Sequence, residues 1–236
     1  MVLNLQEKLL GPAGRLNTLP FIEKTPRTKN GLPDLTYILL YVIIYVMIED
    51  LFKTPLYYTD LKLDNKAMAN YCLSLSKKHK GRTVSNVGGW QSDNLQGEHP
   101  VLNDLFLSIE EHCASYIKEL EIKSTNKISN IWMNINGYKD TNLLHCHPNT
   151  LISGAYYVQT PKDCGNIHFH HPAYDSFQYD WTYDKIVKYN TYNSADWMMP
   201  SSAGRLYLFP SWLQHLVKPN LNKKEKRISI SFNFYK

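Results

Sequence analysis

Three histidines in the second half of the chain have the residue type and spacing of a metal site. His145 and His147 flank a cysteine in the run H-C-H-P, and an extended backbone points both imidazoles to the same side. His215 follows much later, shortly after the strand-like run R-L-Y-L-F (205–209). Imidazole suits iron, zinc, copper and nickel, and three protein ligands leave open positions for a substrate and oxygen. The pattern predicts a catalytic metal centre, although H-x-H taken alone also fits two polar surface residues.

A polar strand near the C-terminus carries a second set of candidate groups. In R-I-S-I-S-F-N-F-Y, Arg227, Ser229 and Ser231 alternate on one face, with Ile228 and Ile230 on the other. A guanidinium beside a hydroxyl, directed into a barrel, is a good receptor for a carboxylate because the fork can make charge-assisted, bidentate hydrogen bonds. The alternative role for the arginine is a structural ion pair at the end of the strand.

The segments that must position these groups have the pattern of a β-barrel. Beyond residue 127 the chain alternates between apolar and polar residues in short stretches broken by Gly, Pro and Asn. The predicted strands are 129–136, 151–158, 165–170, 204–210 and 227–235. Amphipathic helices predicted over 64–78 and 100–120 precede them and are expected to buttress the sheet. This order predicts an antiparallel sandwich or barrel.

The N-terminal region differs from the rest of the chain. Residues 1–46 show little periodicity, and the uncharged run Tyr37–Ile48 is shorter than the roughly 20 residues that cross a bilayer. We expect a dispensable extension over 1–46 and a catalytic domain over 47–236, with the barrel core at about 128–236. A membrane anchor is the alternative for the apolar run.

Cysteines and charge constrain the setting and the partners. The four cysteines are scattered without a Cys-x-x-Cys motif, which predicts a reduced, cytoplasmic protein without disulfides. The net charge of +5 comes with two short lysine runs and otherwise mixed signs, so no specific nucleic-acid signal is present. Small anionic substrates would suit this balance.

Several motifs, taken in order, resemble one enzyme superfamily. Residues 131 to 236 resemble the double-stranded β-helix core of Fe(II)/2-oxoglutarate-dependent oxygenases, above all the prolyl-hydroxylase branch. The matching pieces are H-C-H (145–147), Y-Y-V (156–158), G-N-I-H-F (165–169), G-R-L-Y-L-F (204–209), His215 and Arg227. The sequence is also similar to uncharacterised oxygenases of phages and marine bacteria, back to about Met47, which would place a phage-encoded protein in the host cytoplasm.

The resemblance implies a fold and a reaction. The fold would be mainly β (α+β), a jelly-roll or cupin-like barrel buttressed by N-terminal helices. The reaction would hydroxylate an unactivated C–H bond, first of all in a prolyl or other amino-acid residue, using Fe(II), 2-oxoglutarate and O2 and releasing succinate and CO2. The substrate would be a small molecule or a peptide.

The resemblance also implies roles for individual residues. His145 and His215 take the two histidine positions of the iron site. His147 stands where the branch usually carries Asp, so the site is one negative charge short. Arg227 would bind the distal carboxylate of 2-oxoglutarate, assisted by Ser229 and by the hydroxyl of Tyr157. Asn134 or Asn136, on the strand before the histidine loop, is a further cosubstrate candidate.

Two other functions remain open on the sequence alone. One is a three-histidine cupin-type dioxygenase or isomerase that uses no 2-oxoglutarate, and the other is a non-catalytic jelly-roll binding module. The aromatic-rich stretch 172–199 is expected to form a substrate-binding lid over the metal, or else a packing plug. His168 and His170 share a strand face, but without a Cys, Asp or Glu cluster they are read as barrel-lining or surface residues.

Overall fold

The computed structural model describes residues 26–31, 34, 37, 50–95, 99–125 and 127–235. The chain divides into two units, Met1–Thr54 and Pro55–Lys236. In the first unit, a turn is closed by the Arg27 guanidinium, which donates to the carbonyl of Gly31 at 2.7 Å. The extension predicted over 1–46 and the apolar run Tyr37–Ile48 lie almost entirely outside the described residues, so both stay predictions.

Two antiparallel sheets make up most of the second unit. The strands are β1 Tyr57–Asp60, β2 Asn86–Val87, β3 Trp90–Gln91, β4 Ile128–Asn136, β5 Thr141–His145, β6 Ile152–Gln159, β7 Ile167–His170, β8 Asp196–Met199, β9 Arg205–Pro210, β10 His215–Val217 and β11 Arg227–Phe234. A six-stranded sheet, the large sheet, has the order β1-β9-β6-β11-β4-β3, and a five-stranded sheet, the small sheet, has the order β2-β5-β10-β7-β8. From β4 onward the chain passes back and forth between the sheets, which confirms the predicted barrel.

Two helices pack against the large sheet, as predicted. Helix α1, Asn65–Lys78, follows Asp64, whose carboxylate accepts a hydrogen bond from the backbone N–H of Ala67 at 2.9 Å. Such a cap satisfies one of the free N–H groups of the first turn. Helix α2, Pro100–Glu119, begins with proline, which lacks the N–H that would otherwise be unpaired there. The buried faces of both helices join the apolar residues of β4, β6, β9 and β11 in one core.

Two stretches contain more regular secondary structure than their sequence pattern predicts. The polar, glycine-bearing stretch 82–98 contains β2 and β3, and the stretch 172–199 contains β8 and the short helix α3, Tyr174–Asp180. The two short strands β5 and β10 were also not predicted. Strands of two to five residues are too short to show a period, and tertiary pairing rather than local propensity forms them.

Two further predictions concern the state of the cysteines and a membrane-spanning helix. All four cysteines are free: Cys72, Cys113 and Cys164 are buried, and Cys146 is exposed. Within the described ranges, no helix combines the length and the apolar character needed to cross a membrane.

Candidate metal centre

The small sheet brings the three histidines together. His145 at the end of β5 pairs in register with His215 at the start of β10, and His147 lies two residues beyond the end of β5. One ring nitrogen from each histidine lies within 4.8 Å of those of the other two. Two nitrogens bound to one ion at about 2.1 Å each can be at most about 4.2 Å apart. The three rings are therefore near the spacing that a single ion requires.

Backbone carbonyls orient two of the rings. Nδ1 of His145 lies 2.7 Å from the carbonyl oxygen of Leu143, and Nδ1 of His215 lies 2.9 Å from that of Leu213. Because a carbonyl oxygen can only accept, each Nδ1 must carry the hydrogen. The lone pair of each ring is then on Nε2, the tautomer that a metal ligand of this kind needs.

His147 is held by a turn and by the large sheet. Its backbone N–H donates to the carbonyl of Ser211 at 2.9 Å, and the turn that follows places Asn149 at a φ of 64°, a conformation that asparagine tolerates. Its ring Nδ1 lies 2.7 Å from Oδ1 of Asn233 and 2.9 Å from the hydroxyl of Ser153. Side chains therefore orient this ring, where carbonyls orient the other two.

Burial keeps all three histidines neutral. Desolvation, followed by the proximity of His145, lowers the pKa of His147 to about 4. Desolvation also lowers the pKa of His145, and with two neighbouring imidazoles it lowers the pKa of His215 well below the usual value. At neutral pH, no proton has to leave a ring before a cation can bind.

Next to the histidines lies a cavity of about 450 Å³. This is the size of an ordinary small-molecule site. Both sheets and the 82–94 loop contribute to its wall, which is rich in amide and hydroxyl side chains. These are Asn94, Asn130, Asn134, Asn142, Asn233, Gln91, Ser85, Ser229 and Ser231. Among the described lining residues there is no aspartate or glutamate, so the wall suits a neutral or anionic ligand.

Three of the four residues predicted to bind the cosubstrate line this cavity. They are Tyr157, Ser229 and Asn134. The Nδ2 of Asn134 donates to the hydroxyl of Ser231 at 3.1 Å, and its buried Oδ1 has no partner among the described residues. Burial raises the pKa of Tyr157 to about 12, so its hydroxyl stays protonated and able to donate. Asn136, the other asparagine considered, is buried outside the lining.

Arg227, the fourth, is buried just beyond the cavity wall. Its side chain is only 1% exposed and does not belong to the described lining. Its Nη1 donates to the carbonyls of Cys164 and, at 2.9 Å, Lys218, the residue after Val217 of the lining. Its Nη2 is buried without a hydrogen-bond partner in the described part of the chain. A buried guanidinium nitrogen of this kind requires an acceptor.

A glycine makes room at this arginine. Gly165 has a φ of 81°, and a Cβ there would lie 2.1 Å from the Lys218 carbonyl that accepts from Arg227. Any side chain at residue 165 would push that carbonyl away. The glycine of the G-N-I-H-F motif therefore shapes the surroundings of the guanidinium.

Sequence reasoning missed two groups of residues at this site. Asn233 and Ser153 contact His147, and the loop residues Arg82, Ser85 and Asn94 line the cavity. The signal for Asn233 was present, since it continues the alternation of Arg227, Ser229 and Ser231 by one more step. The loop offered no comparable period.

The stretch 172–199 was expected to cover the metal. No residue of it occurs in the lining, as far as the structure describes that lining, and the 82–94 loop occupies part of the wall instead. His168 of this neighbourhood pairs with Asp196 at 2.9 Å, and the ring of His170 stacks on that of Tyr174. The expectation of a lid is therefore not supported, and the two histidines have structural partners.

A protein-family model matches the barrel core of the chain. The family model described as "Putative 2OG-Fe(II) oxygenase" matches residues 130–233. The match includes all three histidines, Arg227 and Asn233. No curated protein matches the sequence.

Solved structures share the fold at low sequence identity. A Pseudomonas putida prolyl-4-hydroxylase is 13% identical with a TM-score of 0.57, covering 79% of this chain and 96% of its own. HygX from Streptomyces hygroscopicus, solved with nickel and 2-oxoglutarate, is 10% identical with a TM-score of 0.52, covering 83% and 85%. The α-ketoglutarate-dependent carbocyclase SnoK of nogalamycin biosynthesis is 11% identical with a TM-score of 0.51, covering 77% and 80%. The fold is the double-stranded β-helix that the sequence predicted.

Proposed function

We propose that this chain, whose residues 130–233 match a 2OG-Fe(II) oxygenase family model, is an iron(II)- and 2-oxoglutarate-dependent oxygenase that hydroxylates an unactivated C–H bond. One observation carries the proposal. Three neutral imidazoles, His145, His147 and His215, converge beside a polar cavity whose described lining contains no carboxylate.

The donor set fits iron(II). Imidazole is a ligand for Fe(II), and three protein ligands leave open positions for a cosubstrate and oxygen. His145, His147 and His215 would hold the ion, each with its Nδ1 engaged in a hydrogen bond and its Nε2 available. Iron(II) bound there with 2-oxoglutarate would supply oxidation by O2, with release of succinate and CO2.

Charge balance favours a doubly negative cosubstrate. Three neutral ligands leave the full charge of a divalent cation uncompensated in a partly buried site. A dicarboxylate such as 2-oxoglutarate would neutralise it, whereas the usual carboxylate ligand of the branch would already remove one charge. HygX, a structural neighbour, was solved with nickel and 2-oxoglutarate bound.

Four residues of the large sheet are our candidates for holding the cosubstrate. Arg227 offers the unpartnered Nη2, and Tyr157 offers a phenol that burial keeps protonated. Ser229 lies opposite Tyr157 and Asn134 on the neighbouring strands, so the three polar groups are adjacent in the wall. Such a group of donors suits a carboxylate and would fix the orientation of the cosubstrate.

Aromatic rings surround the histidines and limit the access of water. Phe209 lies edge-on to His215 with ring centroids 4.7 Å apart, and Trp132 lies 5.6 Å from His147. Exclusion of water strengthens electrostatic contacts and suppresses side reactions in such a site.

We propose a small molecule or a peptide as the substrate, with a prolyl or other amino-acid residue first. A structural neighbour is a prolyl-4-hydroxylase. A second depression of about 550 Å³, mainly apolar, shares His147 and Pro148 with the cavity and includes Leu151, Pro210 and Trp212. It offers an apolar substrate portion a place beside the metal centre. We place the enzyme in the cytoplasm because its four cysteines are free thiols.

The test is an anaerobic titration of metal-free protein with Fe(II) and then 2-oxoglutarate. We expect the visible metal-to-ligand charge-transfer band that marks chelation of the cosubstrate. Arg227→Lys should weaken 2-oxoglutarate binding about 10-fold or more, because hydrogen bonds to charged groups contribute about 1.5–3 kcal/mol. The affinity of the Arg227→Lys variant for Fe(II) should not change. Arg205→Lys, at a surface arginine paired with Asp60, is the matched control.

Each outcome discriminates between functions. A folded, iron-loaded protein without the band would rule out 2-oxoglutarate dependence. Oxygen uptake without succinate would then indicate a three-histidine dioxygenase. A protein that binds no divalent metal would be a binding module. Succinate formation with one member of a panel of peptides and amino acids would identify the substrate class.

A further inference from the structure

The Nδ1 of His147 faces a pair of buried side chains on the large sheet. Asn233 presents its Oδ1 at 2.7 Å and Ser153 its hydroxyl at 2.9 Å, and they are 6% and 0% exposed. We propose that Asn233, supported by Ser153, is the positioning residue that makes His147 a metal ligand. The inference rests on the proposed function, since it concerns the third ligand of the same centre.

The side chains around Asn233 form one connected hydrogen-bond network. The Nδ2 of Asn233 donates at 3.0 Å to Oδ1 of Asn130, which also faces the hydroxyl of Ser129. This directs Oδ1 of Asn233 towards His147. The hydroxyl of Ser153 donates to the same Oδ1 at 2.7 Å, which leaves its lone pairs towards the ring.

The network also selects the tautomer of His147. Both groups that face its Nδ1 act as acceptors, so Nδ1 carries the hydrogen and Nε2 keeps its lone pair. A ring nitrogen that is fixed in this way is ready to bind an ion without reorientation. Partners that orient a ligand in this manner contribute typically 10–100-fold to metal affinity.

The third histidine differs from the other two in what holds it. His145 and His215 use the carbonyl two residues earlier in their own chain segment. His147 lies beyond the end of its strand and is oriented from the opposite sheet, by residues that pair with each other across β6 and β11. A side-chain substitution can therefore release His147 while leaving the other two rings in place.

The experiment measures Co(II) binding to metal-free protein without cosubstrate, by calorimetry and by visible d–d absorption. Asn233→Leu removes the acceptor and should weaken binding 10–100-fold, with a spectrum of altered ligand geometry. Asn233→Asp keeps an acceptor, so its Co(II) affinity and its spectrum should match those of the unaltered protein. Gln91→Leu is the matched control, since Gln91 is as buried as Asn233 and lines the same cavity from the large sheet, and we assign it no role in binding. It should bind Co(II) as the unaltered protein does.

A second measurement tests the proposal even if Asn233→Leu folds poorly. In metal-free protein, 15N resonances of the His147 ring should show hydrogen on Nδ1, and Ser153→Ala should reduce that population and weaken Co(II) binding several-fold. Unchanged affinity, spectrum and tautomer in Asn233→Leu would overturn the proposal, as would an equal loss of Co(II) affinity in Gln91→Leu. If the unaltered protein binds no Co(II), the proposed metal site itself fails, while the ring resonances still report on the role of Asn233.

Discussion

The two sheets of the barrel are stabilised to different degrees, and they supply different parts of the site. The long strands β6 and β11 of the large sheet are buried along nearly their whole length, and α1 and α2 pack on this sheet. The small sheet has shorter strands and leaves apolar side chains exposed, among them Leu143, Leu144, Trp197 and Met198. The core that holds the fold together therefore lies mainly on one side.

The site divides along the same boundary. All three histidines come from the small sheet or the turn after β5, whereas Asn233, Ser153 and Arg227 come from the large sheet. The well-packed sheet thus supplies the side chains that orient His147 and the candidates for holding the cosubstrate, and the less packed sheet supplies the candidate metal ligands. A rigid wall is the appropriate place for positioning residues, because their geometry has to be held closely.

The largest expected effect is the loss of a core side chain from the large sheet. Phe232→Ala should lower the free energy of unfolding by about 3–5 kcal/mol, since Phe232 is fully buried and its removal leaves a cavity. Met198→Ala, at a half-exposed position of the small sheet, should change it by less than about 0.5 kcal/mol. Urea unfolding of the metal-free variants measures both. Equal losses would contradict the contrast between the sheets.

Metal binding should add stability to the less packed sheet. A ligand at 100 times its dissociation constant stabilises the folded state by about 2.7 kcal/mol. Co(II) at that excess should therefore raise the melting temperature of the unaltered protein and leave that of His215→Ala unchanged. Calorimetric melting with and without Co(II) provides the measurement. A similar rise in the variant would place the bound ion elsewhere in the chain.

The smallest effect is expected at the surface edge of the large sheet. The Arg205 fork donates twice to the carboxylate of Asp60, at 2.7 Å each, and these hydrogen bonds lower the pKa of Asp60. A lowered pKa in the folded state means stabilisation that is present above the usual carboxyl range and is lost as the pH falls through the folded pKa. Asp60→Asn should cost at most about 1 kcal/mol at pH 7 because the pair is exposed.

The free energy of unfolding of Asp60→Asn, measured at several pH values, checks the direction of this pH dependence. The difference in free energy of unfolding between Asp60→Asn and the unaltered protein should become smaller as the pH falls. A difference that grows on acidification would show that the carboxylate does not stabilise the fold through its charged form.

Residues with a strict period were predictable from the sequence, and those that depend on tertiary pairing were not. His145 and His147 were found because an extended H-x-H places both rings on one side, and Arg227 and Ser229 because they alternate on one strand. Ser153 was missed because it lies in an almost fully apolar strand, where a buried hydroxyl gives no signal until its partner is known.

The short elements show the same limit. The strands β5 and β10 exist through their pairing with each other, and the cavity-lining loop 82–94 folds back through the two-residue strands β2 and β3. Their sequences contain no repeat that would distinguish them from a surface loop. The order of the long strands and the two main helices, in contrast, could be predicted because apolar and polar residues alternate along them with the period of a strand or a helix.

The alternation along β11 has a consequence for how this protein can change. In our proposals Arg227 and Ser229 would bind the cosubstrate and Asn233 would orient a metal ligand, all from a single face of one strand. Single substitutions can adjust either end separately. A one-residue insertion or deletion would turn every one of these side chains outwards and bring isoleucine and phenylalanine into the cavity. Descent within this lineage should therefore proceed by replacement along β11, with length changes confined to the turns on either side.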